Sequence, residues 1–522
     1  MLAATTTCAS LLPSQAARLV VMRVALRIAV AIPLLLSTTL AQARAFASAI
    51  PCRGFAITKT PSAADTPTTA PLRALGETGP GRPALSVPDA WVWWVEPLAP
   101  ADFDGGALVR LCADLTAAEA PTLSLAGCAR LRGADLAPLA TVPSLRHLDV
   151  SGCAALGEEA ATTLRALPLA WVRADDTALP NDLGTRSAAL HARAERERAA
   201  QDFVGLAVVV VADGRIAHAA GHGFADRAAK TPVRPTATSF RWASISKPVT
   251  AIAALQLVEQ GKLDLDADVR TLVPEFPEKP WPISTRQLLT HQGGVVHYTN
   301  GKVVATKATY DSERPFVDLV CALDKFKESP LICEPGTAHH YTTHGFMLAG
   351  AVVERAGKTP FWEQVRARIA APLGMASFQP DYEWVAIADR TRGYRKLLGV
   401  VATSADTDVS WKLAGGGFTS TAIDLARFAQ GLLQGRLLQP KTQAAMFTAQ
   451  STRDGKRTGY GLGIGVGRLG EAKVVSHSGA QEKTRTFLLL VPERQVAVAV
   501  MCNSEWAQLA ELTRDLARLA ID

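Results

Sequence analysis

Ser244 and Lys247 stand three residues apart in "FRWASISKPVTAIAALQLVEQGKLDLD", with Pro248 directly after the lysine at the start of an apolar run. Proline lacks a backbone donor and is tolerated in a helix only within its first turn, so the spacing predicts a helix that opens near Pro248 and runs to Gln260, with Gly261 closing it. Side chains three apart in that opening turn overlie one another, most closely if the turn is 3₁₀. Two readings follow. Ser244 caps the helix, or it is a nucleophile with an amine at hand. A hydroxyl is inert until a base takes its proton. Lysine and tyrosine ordinarily titrate at about 10.4 and about 10, so either needs electrostatic help to act as that base near neutrality. A chain of this length holds about one Ser-x-x-Lys by chance, so the pair needs company.

Company is present downstream. Tyr341 follows a Pro-Gly turn and precedes an apolar helix in "EPGTAHHYTTHGFMLAGAVVERAG". "LAGGGFTSTAIDLARFAQGLL" sets three glycines before a helix whose Thr421 and Asp424 have capping-box spacing. In "VVSHSGAQEKTRTFLLLVPERQVAVAVMCN", His477, Ser478, Gly479 and Ala480 end one predicted strand, and two more follow.

This order of serine, lysine, tyrosine and a His-x-Gly strand resembles the serine beta-lactamase and penicillin-binding-protein superfamily, in its class C, D-alanyl-D-alanine peptidase and esterase branch. The resemblance spans about Phe203 to the C-terminus. "RWASISKPVTAIAALQLVEQGKLDLD…LVPEFPEKP…TRQLLTHQGG" is similar to the beta-lactamase-like serine proteases of mitochondria and their bacterial relatives. It implies an acyl-enzyme mechanism without cofactor. Ser244 is the expected nucleophile, and Lys247 beside Tyr341 favours the phenolate that accepts its proton. The backbone N–H groups of Ser244 and Ala480 match the oxyanion hole, and Gly479 leaves room for substrate along the strand edge. His477, where lysine is usual, is expected to bind a substrate carboxylate or stabilise the transferred proton. Ser478 and Thr343 complete the expected substrate-binding set. Tyr341-Thr342-Thr343 departs from the frequent Tyr-x-Asn by putting a hydroxyl where an amide would hold substrate. That departure and a histidine neutral over much of the physiological range argue for a peptidase or esterase acting on peptides, D-amino-acid peptides or esters, over a beta-lactamase. The rival class is a binding or self-assembling scaffold, which gains nothing from keeping all three reactive residues.

The remaining histidines suggest structure. His340 and His344 are spaced i, i+4, but no glutamate completes a metal-binding helix motif, so no metal is expected. His218 and His222 share a strand face and are expected at the surface, and His291 is expected to tie down a helix end.

An α/β (α+β) fold has to position these residues: an antiparallel sheet from strands near both ends of residues 203–522, helices on its faces, and a helical insert carrying Tyr341. Its first hairpin turns at Asp213-Gly214, a strong type I′ signal. Residues 181–202, charged and Ala-rich, predict a connecting helix with a solvated face. Before it, residues 91–180 repeat a pattern, "LSLAGCARL" from Leu123 and "LDVSGCAAL" from Leu148, with a degenerate third copy in "LAWVRADDTAL" where Asp175 or Asp176 replaces the cysteine. This resembles the cysteine-containing leucine-rich repeat. So short a solenoid cannot bury its own ends, so it is expected to be capped by Trp91, Trp93 and Trp94, to lean on the hydrolase, and to meet a protein or cell-wall partner. Cys128 and Cys153 are expected to fill its core.

Residues 48–90, rich in Pro, Ala and Thr, predict a linker. Residues 1–47 contain no Asp or Glu. From Met22, a second possible start, they read as a secretory signal, two arginines and then an apolar block too short and Pro-broken for a membrane span. A mitochondrial transit peptide is the alternative to export. Removing that segment takes four arginines with it, and the formal charge falls from +7 to +3, which gives no basis for nucleic-acid binding. Seven of eight cysteines then remain, among them Cys321 and Cys333, which suit either an export disulfide or two buried thiols.

Overall fold

The computed structural model describes residues 44–58, 72–88, 90–180, 182–307 and 313–521, and of Trp91 only the backbone. The expected leader thus lies almost wholly outside the described residues. Among those described, no helix is long and apolar enough to cross a membrane.

Strand Gly205–Ala212 is the apolar run "GLAVVVVA", buried along its whole length. Its side chains alternate between two cores: Ala207, Val209 and Val211 enter one, while Leu206, Val208 and Val210 enter the other. A strand covered on both faces reads as an unbroken apolar run, which is why no polar alternation marks it. It lies near the middle of a seven-stranded antiparallel sheet ordered Thr231–Pro232, Arg215–Asp226, Gly205–Ala212, Val496–Cys502, Thr484–Val491, Ala472–Gln481, Gly465–Leu469. Strands from both ends of residues 203–522 therefore meet, as expected. Asp213 and Gly214 make the first turn with φ of +52° and +74°.

The front core holds helices Ser246–Glu259, Thr343–Gly357 and Ala422–Leu433. The back core holds Thr185–Gln201 and Ala510–Ile521. Thr185–Gln201 is therefore no mere connector. Leu190 and Ala194 are buried against the sheet, and Arg193 pairs with Asp515 at 3.0 Å. His218 and His222, expected at the surface, are buried beneath this same helix, which covers the strand face that carries them.

The stretch expected to be a linker is corrected more strongly. Cys52–Thr58, Leu72–Thr78 and Ala90–Pro97 are antiparallel strands, and the last pairs in parallel with Thr122–Ser124, continuing into His147–Asp149 and Trp171–Arg173. The proline clusters occupy the intervals between these strands, so their composition hid the alternating "CRGFAIT" and "LRALGET". This antiparallel end caps the repeat. Trp93 packs on Phe46 at 5.7 Å between ring centroids, and Trp94 stacks on Phe55 at 5.4 Å. Because Phe46 is buried, cleavage after Ala47 would remove a core side chain.

Leu123, Leu148 and Val172 stand in register on adjacent parallel strands, and Cys128 and Cys153 fill the core behind them. In the third copy Asp176 takes the position of Gly127 and Gly152, adopting their left-handed backbone with φ of +57° against +75° and +71°. Thr177 therefore holds the cysteine's place, not Asp175 or Asp176, and its hydroxyl donates to Ala174 O at 2.6 Å. The repeat packs on residues 203–522 through Arg215, over the Trp94 ring at 4.2 Å, and through Thr236, whose hydroxyl donates to Asp176 at 2.8 Å.

Candidate active site

Ser244 lies in the single 3₁₀ turn Ala243–Ile245, directly ahead of helix Ser246–Glu259. Ala243 has φ of +49°, a left-handed conformation that costs a residue with a β-carbon about 1–2 kcal/mol. The surroundings enforce it. The Trp242 indole N–H donates to Ser420 Oγ at 2.7 Å, and its ring packs between Phe378 and Phe428. Arg241 is buried in an ion pair with Asp381, which Arg390 also holds at 2.6 Å.

Lys247 is fully buried, and its Nζ lies 3.0 Å from Ser244 Oγ, 2.7 Å from Gly415 O and 3.3 Å from Thr343 Oγ1. Burial, reinforced by the nearby Lys412 charge, holds its titration well below the usual lysine range. Its N–H groups donate to Gly415 O and Thr343 Oγ1, and Nζ also reaches the serine hydroxyl. Tyr341 places its ring centroid 4.8 Å from Nζ. Burial pushes its phenol up, against the opposing pull of a hydrogen bond with Ser244. Desolvation thus opposes both charges of the expected ammonium–phenolate pair.

Thr343, expected to touch substrate, is buried and engaged with Lys247, and its backbone N–H donates to His297 Nδ1 at 3.2 Å. His291 does more than end a helix. Its Nδ1 accepts from Thr342 N at 3.1 Å, and its ring lies 4.3 Å from that of Tyr341, so it fixes the tyrosine turn. His344 bonds Val296 O at 2.9 Å and stacks on Phe326.

His477 is buried. Burial, with Lys247 as a lesser cause, lowers its titration to about 3. Its Nε2 meets the Tyr460 hydroxyl at 2.9 Å. Sequence reasoning missed Tyr460; "GYGLG", a tyrosine between glycines ahead of an edge strand, was the signal on offer.

Gly479 is needed for packing. A β-carbon there would lie 2.1 Å from Thr486 Oγ1 and 2.4 Å from Trp242 O, so only glycine lets the strand meet the serine turn. Ser478 and Ala480 alternate with it and are exposed. Strand Ala472–Gln481 pairs on one side through Gln481, but on the other only as far as Ser476. Residues 477–481 therefore present a free strand edge beside Ser244. Cys321 and Cys333 are half-buried and are not joined to each other by a disulfide. Among the described residues, no group of three or more His, Cys, Asp or Glu is arranged to hold a metal.

The sheet, the insert carrying Tyr341 and the serine beside a buried lysine define the class: a serine hydrolase. The Beta-lactamase family model matches residues 191–521, and the chain belongs to that family. It is 26% identical over 404 residues to the human "Serine beta-lactamase-like protein LACTB, mitochondrial", covering 58% of this chain and 73% of that protein. It is 36% identical over 211 residues to "Esterase EstB" of Burkholderia gladioli, covering 38% and 53%. Among solved structures, a D-stereospecific amidohydrolase from Streptomyces sp. superposes with a TM-score of 0.53 at 25% identity, over 63% of this chain and 98% of that one.

Proposed function

We propose that the protein cleaves peptide, D-amino-acid peptide or ester bonds through an acyl-enzyme on Ser244, with neutral Lys247 as the base. The observation that carries this is the 3.0 Å contact between Ser244 Oγ and a buried Nζ whose two donor hydrogens have other acceptors. Lys247 takes the serine proton as Oγ attacks the carbonyl carbon. The oxygen that gains charge is held by the backbone N–H groups of Ser244 and Ala480. Tyr341, protonated at rest, passes its proton to the leaving group and recovers one from Lys247; water then releases the acyl group by the reverse path. An extended substrate backbone lies along the free edge at residues 477–481. Relatives named as an esterase and a D-stereospecific amidohydrolase support this range of substrates.

A fluorophosphonate tests the reading. Intact-mass spectra should show one adduct, on Ser244, absent from Ser244→Ala; an adduct elsewhere overturns it. The relative named mitochondrial supports organelle import over export for the Arg-rich leader, and a fractionation assay would decide between them. The repeat sheet is proposed to offer its free surface to a protein or cell-wall partner. Its removal from the full chain should abolish partner retention while leaving Ser244 reactive.

A further inference from the structure

Two contacts determine the state of His477. Nδ1 lies 2.7 Å from Ser478 O, and a carbonyl only accepts, so Nδ1 carries the proton. In the neutral ring Nε2 is then the acceptor, and the Tyr460 hydroxyl at 2.9 Å is the donor. Both ring nitrogens are occupied by the protein, and Tyr460 is itself buried, with its phenol held well above the ordinary tyrosine range by burial and by Tyr341. We infer that Tyr460 is a positioning residue that locks His477 as the neutral Nδ1–H tautomer, and that this lock makes the strand side of the acyl site select substrates without a carboxylate near the scissile bond. The inference rests on the serine-hydrolase reading above and specifies its substrate class.

The physical argument is one of competition. A carboxylate approaching the free edge seeks a fixed positive charge, and a cationic imidazole needs both nitrogens protonated. Tyr460 opposes this by giving its proton to Nε2, a bond that only neutral histidine can accept. The groups facing His477 do not reverse the balance. Lys247 from the serine helix, His291 from the loop ahead of the insert and the Tyr341 phenol are its titratable neighbours, and none supplies a negative charge near neutrality. Without the Tyr460 hydroxyl, Nε2 loses its donor and takes up a proton more readily, by about one pH unit for a lost hydrogen bond.

The test uses the full chain and its Tyr460→Phe variant, each first checked for folding by thermal melting and for an intact serine by fluorophosphonate labelling. Histidine ¹⁵N spectra, with His477→Asn to assign the signal, should show one imidazole fixed as the neutral Nδ1–H form from pH 5 to 8 in the parent. In Tyr460→Phe that signal should begin to titrate as the pH is taken down to 4, about one pH unit above the parent. Turnover of p-nitrophenyl butyrate against the p-nitrophenyl monoester of glutarate should favour the neutral ester about tenfold or more in the parent. The preference should shrink in Tyr460→Phe at pH 4.5 but not at pH 8, and the shrinkage should vanish in Tyr460→Phe/His477→Asn. A parent signal from the Nε2–H form or from a titrating ring overturns the lock, and so does a Tyr460→Phe spectrum unchanged from the parent. An ester preference that ignores the variant overturns the selectivity. If neither ester turns over, the hydrolase reading has failed, and the spectra still decide the lock.

Discussion

Histidines are buried on both faces of the seven-stranded sheet, yet the two sets differ in what they touch. On the back, His191 and His222 pack ring to ring at 4.6 Å beside His218, and one nitrogen of each has no hydrogen-bond partner. On the front His291 Nε2 likewise lacks a partner, but both nitrogens of His477 are bonded, and His291 and His297 accept from the backbone of the tyrosine turn. Burial drives titration down on both faces. What separates a site from a filled interior is that the front groups orient one another around Ser244, whereas the back groups fill space under a helix. A depressed titration is thus a weak guide to function unless partners give the group a direction.

Changes on the front should act mainly on rate. Lys247→Ala is expected to lower kcat/KM by about a hundredfold or more, the scale of lost acid–base catalysis, while the melting temperature holds or rises because a buried amine has gone. Near-normal turnover by ester assay would remove the lysine from the mechanism and erase the contrast. Gly479→Ala should damage both faces of the comparison. The new methyl meets the Trp242 carbonyl at 2.4 Å, a backbone atom with little freedom to move, so a loss of about 1–3 kcal/mol in urea unfolding should accompany lost labelling at Ser244.

Changes on the back should act on stability, and through pH. His218 and His222 titrate at about 3 and about 4 when folded against 6.5 in an open chain, chiefly through burial. Above about pH 6.5 neither state takes up protons there, and stability is flat. Below it the unfolded chain binds protons that the folded one refuses, so stability falls toward pH 4 by up to about 1.4 kcal/mol per pH unit for each histidine. His218→Phe should flatten that slope in melts between pH 4.5 and 7 without altering the rate at pH 7.5; an unchanged slope would move the effect to other groups. The smallest effect belongs to the repeat contact. Arg215→Ala removes a cation from the Trp94 face and should cost about 0.5–2 kcal/mol in unfolding with turnover intact.

Much of this was legible along the chain because it depends on near neighbours. Pro248 after Lys247 fixed where a helix starts and so placed the lysine beside Ser244; Asp213-Gly214 fixed a hairpin; the period from Leu123 to Leu148 to Val172 fixed a parallel stack. The order of Ser244, Lys247, Tyr341 and His477 was enough to indicate the fold. Composition misled where a short strand was diluted by its surroundings, as with Cys52–Thr58 among prolines.

Only the tertiary structure decided which of these groups carry charge. Desolvation by segments that meet them from far along the chain lowers the titration of Lys247 and raises that of Tyr341, with Gly415 and Thr343 supplying the lysine's acceptors. Tyr460 reached His477 across the gap between two strands, and Thr185–Gln201 closed over His218 and His222. Protonation depends on the dielectric and the hydrogen-bond partners around a group, and those are set by contacts between residues that have no local relation in the sequence.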